Sequence, residues 1–268
     1  MPSLSPVVHK ISEVANNVRA SAQDLTDVIQ LDPVLTAKVI RMVNSAYFGL
    51  PQEVKSLKQA VVLLGINTIK NVAISSAFLG KSYLKGSDVL DGDDFWKHSL
   101  GVAVASKMIA KRLGIEEKFL EEYFIAGLIH DIGKILMNNF FPEEMKKILD
   151  VSSRKNIQIT EIEKSVLGLS HEEIGIAIGK KWKFETSLLY AVGRHHQPVL
   201  QGSAALFSMV VSVADTFVKI LKVGFSGNYR ITPIDSEVWK VLELEEEAVF
   251  VALSDINIEI DKARLFLK

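Results

Sequence analysis

Apolar residues along this chain recur at intervals of three and four, the spacing that lines one face of an α-helix. Between Asp32 and Ala46 the stripe is Val34, Leu35, Val39, Ile40 and Val43. Asp32-Pro33 gives it a start, since the carboxylate can accept from free amides and proline is tolerated at the first helical position. Ser56 can cap a second helix carrying Ala60, Val61, Leu63 and Leu64, which Gly65 ends. A third is expected from Asn67 to Phe78. Gly80, Gly86, Ser87, Asp88, Asp91, Gly92 and Asp93 then crowd into fourteen residues. That density predicts a loop and a boundary, with residues 1–86 as an N-terminal helical lobe and 87–268 as a second one.

Beyond the loop, Asp94 begins a long helix that Gly114 closes, and another spans about Glu116 to Asn139. Pro142 opens a shorter helix whose acids, Glu143 and Glu144, precede its lysines, the order a helix dipole favours. Thr160 with Glu163, and Ser170 with Glu173, each have capping-box spacing. Further helices are expected over Glu185–His196, over Ser203–Lys222 and from Glu245 onward. Ile256–Ile260 alternates with the period of a strand but is short and ambiguous. The fold class this implies is all-α.

Composition narrows the function classes. The chain has 268 residues, 48% apolar and 24% charged, enough to bury a sizeable core and too apolar for disorder as its main state. Lys plus Arg is 31 against Asp plus Glu 32, so no global field draws the protein to nucleic acid or anionic lipid. Cysteine is absent, which excludes disulfides, thiol nucleophiles, iron–sulfur clusters and thiolate zinc sites. Any metal must be held by His, Asp and Glu. Apolar runs such as Ala60–Gly65 are far shorter than the ~20 residues of a membrane span, and no signal peptide is visible, so the chain reads as cytoplasmic. A mean hydropathy of +0.22 suggests a buried interface with a partner or with a second copy.

Several polar residues interrupt stripes that should be buried. His98 shares a face with Phe95, Val102, Ala105 and Ile109. His130 and Asp131 end the apolar run Phe124–Ile129, and Lys134 follows at a spacing that lets all three point to one side. Gly127 and Gly133 leave room there for close backbone approach or for a ligand. His171 opens a capped helix, His195-His196 end another, and Asp215 lies within Met209–Val218. Each has an ordinary explanation. A single core histidine is more often hydrogen-bonded structure than ligand, and Asp215 could sit on a solvated face paired with Lys219. His9 is assigned to the surface. Taken together, imidazoles around carboxylates on separate helices are what a divalent cation requires.

The order His98, His130-Asp131, His171, His195-His196, Asp215, with Lys134 three after Asp131, resembles the HD superfamily of metal-dependent phosphohydrolases. Leu31-Asp32-Pro33 through Asn44-Ser45-Ala-Tyr-Phe48-Gly49, with Gln59-Ala60-Val-Val-Leu-Leu-Gly65, resembles the opening of an HDOD domain, the HD-related output domain of bacterial signalling proteins. Phe95-Trp96-Lys-His98, Trp182 and His195-His196-Gln-Pro198 extend the resemblance over roughly residues 4 to 220. It implies a single HDOD unit, an N-terminal helical lobe packed on an HD-type bundle, and a regulatory role with a protein partner. The apolar faces of residues 34–43 and 57–64, too large to leave in water, are expected to make that lobe's contact with the remainder. Many HDOD proteins lack several HD ligands; here every ligand position carries a competent residue.

By similarity to HD-GYP phosphodiesterases, His98, His130, Asp131 and Asp215 would hold one metal. Asp131 would bridge to a second held by His171, His195 and His196, while Lys134 would face a substrate phosphate. Asp131 and Lys134 are thus the catalytic candidates. One or two divalent ions are implied, with Fe, Mn, Zn or Mg suited to N/O ligation. After His196 the chain reads Gln-Pro-Val-Leu-Gln-Gly, without Gly-Tyr-Pro, so cyclic di-GMP recognition is not supported. Two readings follow. One is a signalling module acting through ligand or protein contacts. The other is a metal-dependent phosphohydrolase or phosphodiesterase acting on a nucleotide or cyclic dinucleotide. No membrane partner is expected, and without a basic–aromatic stripe neither is nucleic acid.

Overall fold

The computed structural model of the chain describes residues 6–15, 17, 20–78, 89–202 and 204–264, and every regular element among them is helical. The N-terminal group comprises α1 (Pro6–Ala15), α2 (Ala22–Gln30), α3 (Pro33–Val43), α4 (Leu57–Leu64) and α5 (Ile66–Phe78). Asp32 starts α3 as its sequence suggests, accepting from the amides of Val34 and Leu35 at 3.0 Å each. Leu35, Val39, Met42 and Val43 turn inward, as do Leu57, Ala60 and Val61 of α4. The inward face is narrower than the apolar stripe. Val34 is 68% exposed and Leu63 51%, because residues one position off a helix face rotate away by about 100°. Asn44 ties the α3–α4 connection, its side chain donating to Val54 O and accepting from Val54 N–H, both at 2.7 Å.

The predicted boundary loop falls largely on residues 79–88, which lie outside the described residues, as does the side chain of His9. Asp91 follows as an N-cap accepting from Asp94 N–H at 2.8 Å. The next helix, α6 (Gly92–Arg112), therefore starts two residues before Asp94. It is buried on nearly all sides and runs through the core against α7 (Leu120–Ile129), α13 (Ala205–Ile220) and α16 (Ile256–Ala263). The N-terminal group rests on this bundle. Helix α5 packs on α7, the Tyr47 ring lies 4.4 Å from that of Phe124, and buried Lys70 pairs with Glu185.

One expected helix is two. The stretch from Glu116 to Asn139 forms a short 3-10 turn, then α7, and then α8 (Ile132–Phe140). The break falls at His130-Asp131, with Asp131 at φ −96°, ψ 15°. Packing accounts for the change of direction. Gly127 presses α7 onto α6, where an added Cβ would stand 2.6 Å from Val102 O and 2.7 Å from Ala103 Cα. Gly133 presses α8 onto the backbone of His171. Of the two uses foreseen for these glycines, both serve close backbone approach.

The remaining helices are α9 (Pro142–Arg154), α10 (Ile159–Leu167), α11 (His171–Lys181), α12 (Thr186–Arg194), α14 (Ser236–Leu242) and α15 (Glu246–Ala252). Ser170 and Glu173 form the expected reciprocal capping box on α11. Thr160 and Glu163 do not: α10 starts at Ile159, and Glu163 turns fully inward. Ile256–Ile260 is helical within α16, with Ile256 and Ile260 buried four apart and Ile258 outside. Helix α14, capped by Asp235, is absent from the sequence reading. No helix among the described residues is long and apolar enough to cross a membrane.

Candidate metal centre

Five separate places in the chain bring their polar side chains to one buried volume. His98 comes from α6, His130-Asp131 from the α7–α8 break, and His171 from the first position of α11. His195 and His196 follow the end of α12, and Asp215 comes from α13. Asp131, His171, His195 and His196 form one group and His98, His130 and Asp215 another, with donor atoms in each group within 4.8 Å of one another. Asp131 stands between them. Its Oδ1 lies 3.3 Å from His171 Nε2 and 3.5 Å from His195 Nε2, while its Oδ2 lies 3.3 Å from His130 Nε2. Asp215 Oδ1 is 3.1 Å from His98 Nε2 and 3.9 Å from His130 Nε2.

The rings are aimed by their other nitrogens. His130 Nδ1 donates to Gly127 O at 2.7 Å, and His195 Nδ1 to Ala191 O at 3.0 Å. A carbonyl can only accept, so the proton of a neutral ring is fixed on Nδ1 and the Nε2 lone pair points into the site. His171 Nδ1 lies 2.7 Å from Glu163 Oε2, and His171 N–H donates to the same oxygen at 2.9 Å. His171 and His195 then confront each other Nε2 to Nε2 at 3.3 Å. Two lone pairs at that distance repel unless a proton or a cation lies between them.

Burial and neighbouring charges pull the two carboxylates and the histidines in different directions. Burial would raise the carboxyl of Asp131, yet the charges of His130 and Lys134 hold it well below the usual range. Burial likewise opposes ionisation of Asp215, and Lys219 and His98 overcome it. Burial pushes His130 down, and pushes His196 well down with the help of the neighbouring His195 and His171 charges. His195 rises despite burial, because Asp131 accepts a hydrogen bond from its charged form and Glu172 lies near.

The residues fit a metal by a direct criterion. His98 Nε2, His130 Nε2, His196 Nε2, Asp131 Oδ1 and Asp215 Oδ1 are buried without a hydrogen-bond partner among the described residues. A buried polar atom left unsatisfied costs about 1–3 kcal/mol, so five of them facing one small volume describe a missing common partner. All five are N or O atoms of the kind that coordinate a divalent cation.

Lys134, expected to face a substrate phosphate, turns to Asp131 within the protein. It is fully buried, 2.7 Å from Asp131 Oδ2 and 3.4 Å from Ser226 Oγ. Ser226 arrives on a segment after α13 that lies against α6, where Phe225 N–H donates to Asp94 O at 3.0 Å. Gly224, at φ +62°, permits that contact; a Cβ there would meet His98 N at 2.3 Å. Asp215 is buried and also pairs with Lys219, so the foreseen ion pair exists inside the protein rather than on a solvated face. A cleft of about 300 Å³ opens on the centre, lined by His196, Asp215 and Lys219 together with Thr232–Asp235.

Two contributors escaped the sequence reading. Glu163 orients His171, and Glu172 accepts from His196 N–H at 3.1 Å. A signal for Glu163 existed: it shares the apolar face of Ile159 and Ile162, where a charge is out of place. Glu163→Gln should weaken metal binding about tenfold or more, because the replaced amide orients the imidazole without raising its basicity. Equilibrium titration of the metal-stripped variant measures this; unchanged affinity would remove Glu163 from the centre.

Comparison with known proteins adds a family. The model of the HDOD domain matches residues 1–198. The crystal structure of an HDOD domain protein of unknown function from Geobacter sulfurreducens superposes with a TM-score of 0.77 at 26% identity, covering 99% of this chain and 92% of that one. A Shewanella amazonensis SB2B protein, provisionally assigned as a phosphohydrolase, superposes at 0.75 with 23% identity over 100% of this chain and 95% of its own. Ribonuclease Y of Latilactobacillus sakei subsp. sakei is 24% identical over 71% of this chain and 30% of its own length. The chain spans roughly a third of the length of the first curated relatives it matches, 37% and 30%.

Proposed function

We propose a function that proceeds from one premise: the chain belongs to the HDOD domain family. Within that family it is a regulatory module with an HD-type metal centre, acting in the cytoplasm through a ligand or a signalling protein. The convergence of five unpartnered donor atoms from separate helices carries this reading. His98, His130 and Asp215 would hold one divalent ion and Asp131, His171, His195 and His196 the other, with Fe, Mn, Zn or Mg suited to the donors. When bound, such ions supply positive charge and can activate a water or a phosphate oxygen. The chain does the rest. Glu163 fixes the tautomer of His171, Ala191 O that of His195, and Lys134 keeps Asp131 ionised.

A second reading, a metal-dependent phosphohydrolase or phosphodiesterase, is favoured by the cleft that gives a ligand access to His196 and Asp215. The likeness to ribonuclease Y supports phosphodiester chemistry of that kind. Elemental analysis of the purified protein tests the first reading and should return one or two divalent first-row or magnesium ions per chain. Metal-loaded protein should turn over cyclic di-GMP weakly or not at all, because metals without positioning groups forgo much of the rate and Gln197–Gly202 lacks the Gly-Tyr-Pro element. Rapid hydrolysis of cyclic di-GMP, a nucleotide or RNA by the parent protein would make the enzyme reading the right one.

A further inference from the structure

We propose that Lys219 is an internal counter-ion that competes with metal for Asp215 and, once displaced, becomes the anion-binding group of the adjoining cleft. This rests on the metal-centre reading above. Lys219 lies one turn after Asp215 on α13, and its ammonium pairs with Asp215 Oδ2. The other oxygen, Oδ1, faces His98 Nε2 at 3.1 Å without an aligned hydrogen bond. One carboxylate is therefore divided between a resident cation and an unfinished donor set.

The two donor groups are unequal in this respect. Asp131, His171, His195 and His196 offer four ligands, with rings anchored by Glu163 and Ala191. Their lysine, Lys134, binds Asp131 Oδ2, the oxygen turned away from His171 and His195. His98, His130 and Asp215 offer three ligands, and the carboxylate among them is already neutralised. A cation entering this second group meets an ammonium at the same carboxylate, and like charges that close repel. The four-ligand group should fill first and the three-ligand group second.

Lys219 has somewhere to go, whereas Lys134 does not. Lys134 is fully buried, but Lys219 keeps 11% of its side chain exposed and lines the cleft beside the hydroxyl residues Ser212 and Thr216. It is the one Lys or Arg among the described residues lining that cleft. Released from Asp215, its ammonium stands in the cleft as a donor for an anionic group, and a phosphate-bearing small molecule is the ligand class this chemistry recognises. Metal loading would thus license ligand binding.

The test uses the full chain stripped of metal, titrated calorimetrically with Mn²⁺, and then the Mn²⁺-saturated protein titrated with AMP as a phosphate-bearing probe. The parent should show a tighter and a weaker Mn²⁺ site. Lys219→Met should tighten the weaker site about tenfold, leave the tighter one within about twofold, and weaken AMP binding about fivefold or more. Lys219→Arg should stay near the parent on both ligands. Opposite shifts for cation and anion are not what a loss of packing produces. A weaker Mn²⁺ site unchanged or loosened in Lys219→Met, or AMP affinity equal to the parent's, overturns this proposal alone. A parent protein that binds no Mn²⁺ overturns the metal-centre reading, and this inference with it.

Discussion

Asp131→Ala should empty the centre, leaving less than about a tenth of the parent's metal on elemental analysis, since Asp131 is the one acid of the four-ligand group and its second oxygen faces His130 of the other. The expectation rests on position. Asp131 Oδ1 is 3.3 Å from His171 Nε2, and Oδ2 is 3.3 Å from His130 Nε2, so one carboxylate serves both sides. The same change strands Lys134, which is fully buried and 2.7 Å from Asp131 Oδ2. Breaking a buried pair by deleting one partner costs about 3–5 kcal/mol, even without metal, because an uncompensated charge stays behind. Urea unfolding in the presence of a chelator should show that loss. Lys134→Met added to Asp131→Ala should recover much of the stability and none of the metal, which separates the two roles. Full metal content in Asp131→Ala would refute the assignment.

The sequence made some parts of this centre legible and hid others, for physical reasons. His98, His130 and Asp131 were visible because each interrupts an apolar stripe, and periodicity registers a polar residue on the wrong face. The direction of Lys134 was visible too, since spacings of three and four put it beside Asp131. Its surroundings were not, because Ser226 is 92 residues away and reaches it through the segment that Gly224 lets lie on α6. Glu163 was concealed by a rule that is local. Thr160 and Glu163 have capping-box spacing, yet the true partner, His171, lies eight residues on in another helix. The break at His130-Asp131 had no proline to mark it. It comes from α7 packing on α6 while α8 turns to meet α11, a contest between helices that no window of one helix contains. Among the apolar stripes, Leu35 and Val39 face inward, but exposed Val34 and Leu63 show that apolarity alone does not fix which edge of a stripe faces inward.

Gly133→Ala should be the most damaging glycine-to-alanine change among the described residues, and its damage should reach the metal. A Cβ at that position would stand 2.0 Å from His171 O, 2.8 Å from His171 C and 3.0 Å from His171 Cα. These are backbone atoms at the first position of α11, so no rotamer relieves the contact. Restoring ordinary contact near 3.5 Å requires α8 and α11 to part by about 1 Å or more. Overpacking of this kind costs about 3 kcal/mol or more when the opposing atoms cannot yield. The displaced residue is His171 itself, whose Nε2 faces Asp131 and whose N–H and Nδ1 are held by Glu163. Urea unfolding and Mn²⁺ titration should therefore fail together in Gly133→Ala. Gly114→Ala provides the contrast. Gly114 has φ +78° with open space around it, so alanine there costs about 1–2 kcal/mol of backbone strain. It lies between α6 and α7, away from every donor, and should leave metal affinity unchanged. If Gly133→Ala folded with the parent's metal affinity, the α8–α11 contact would not be what holds His171 at the centre.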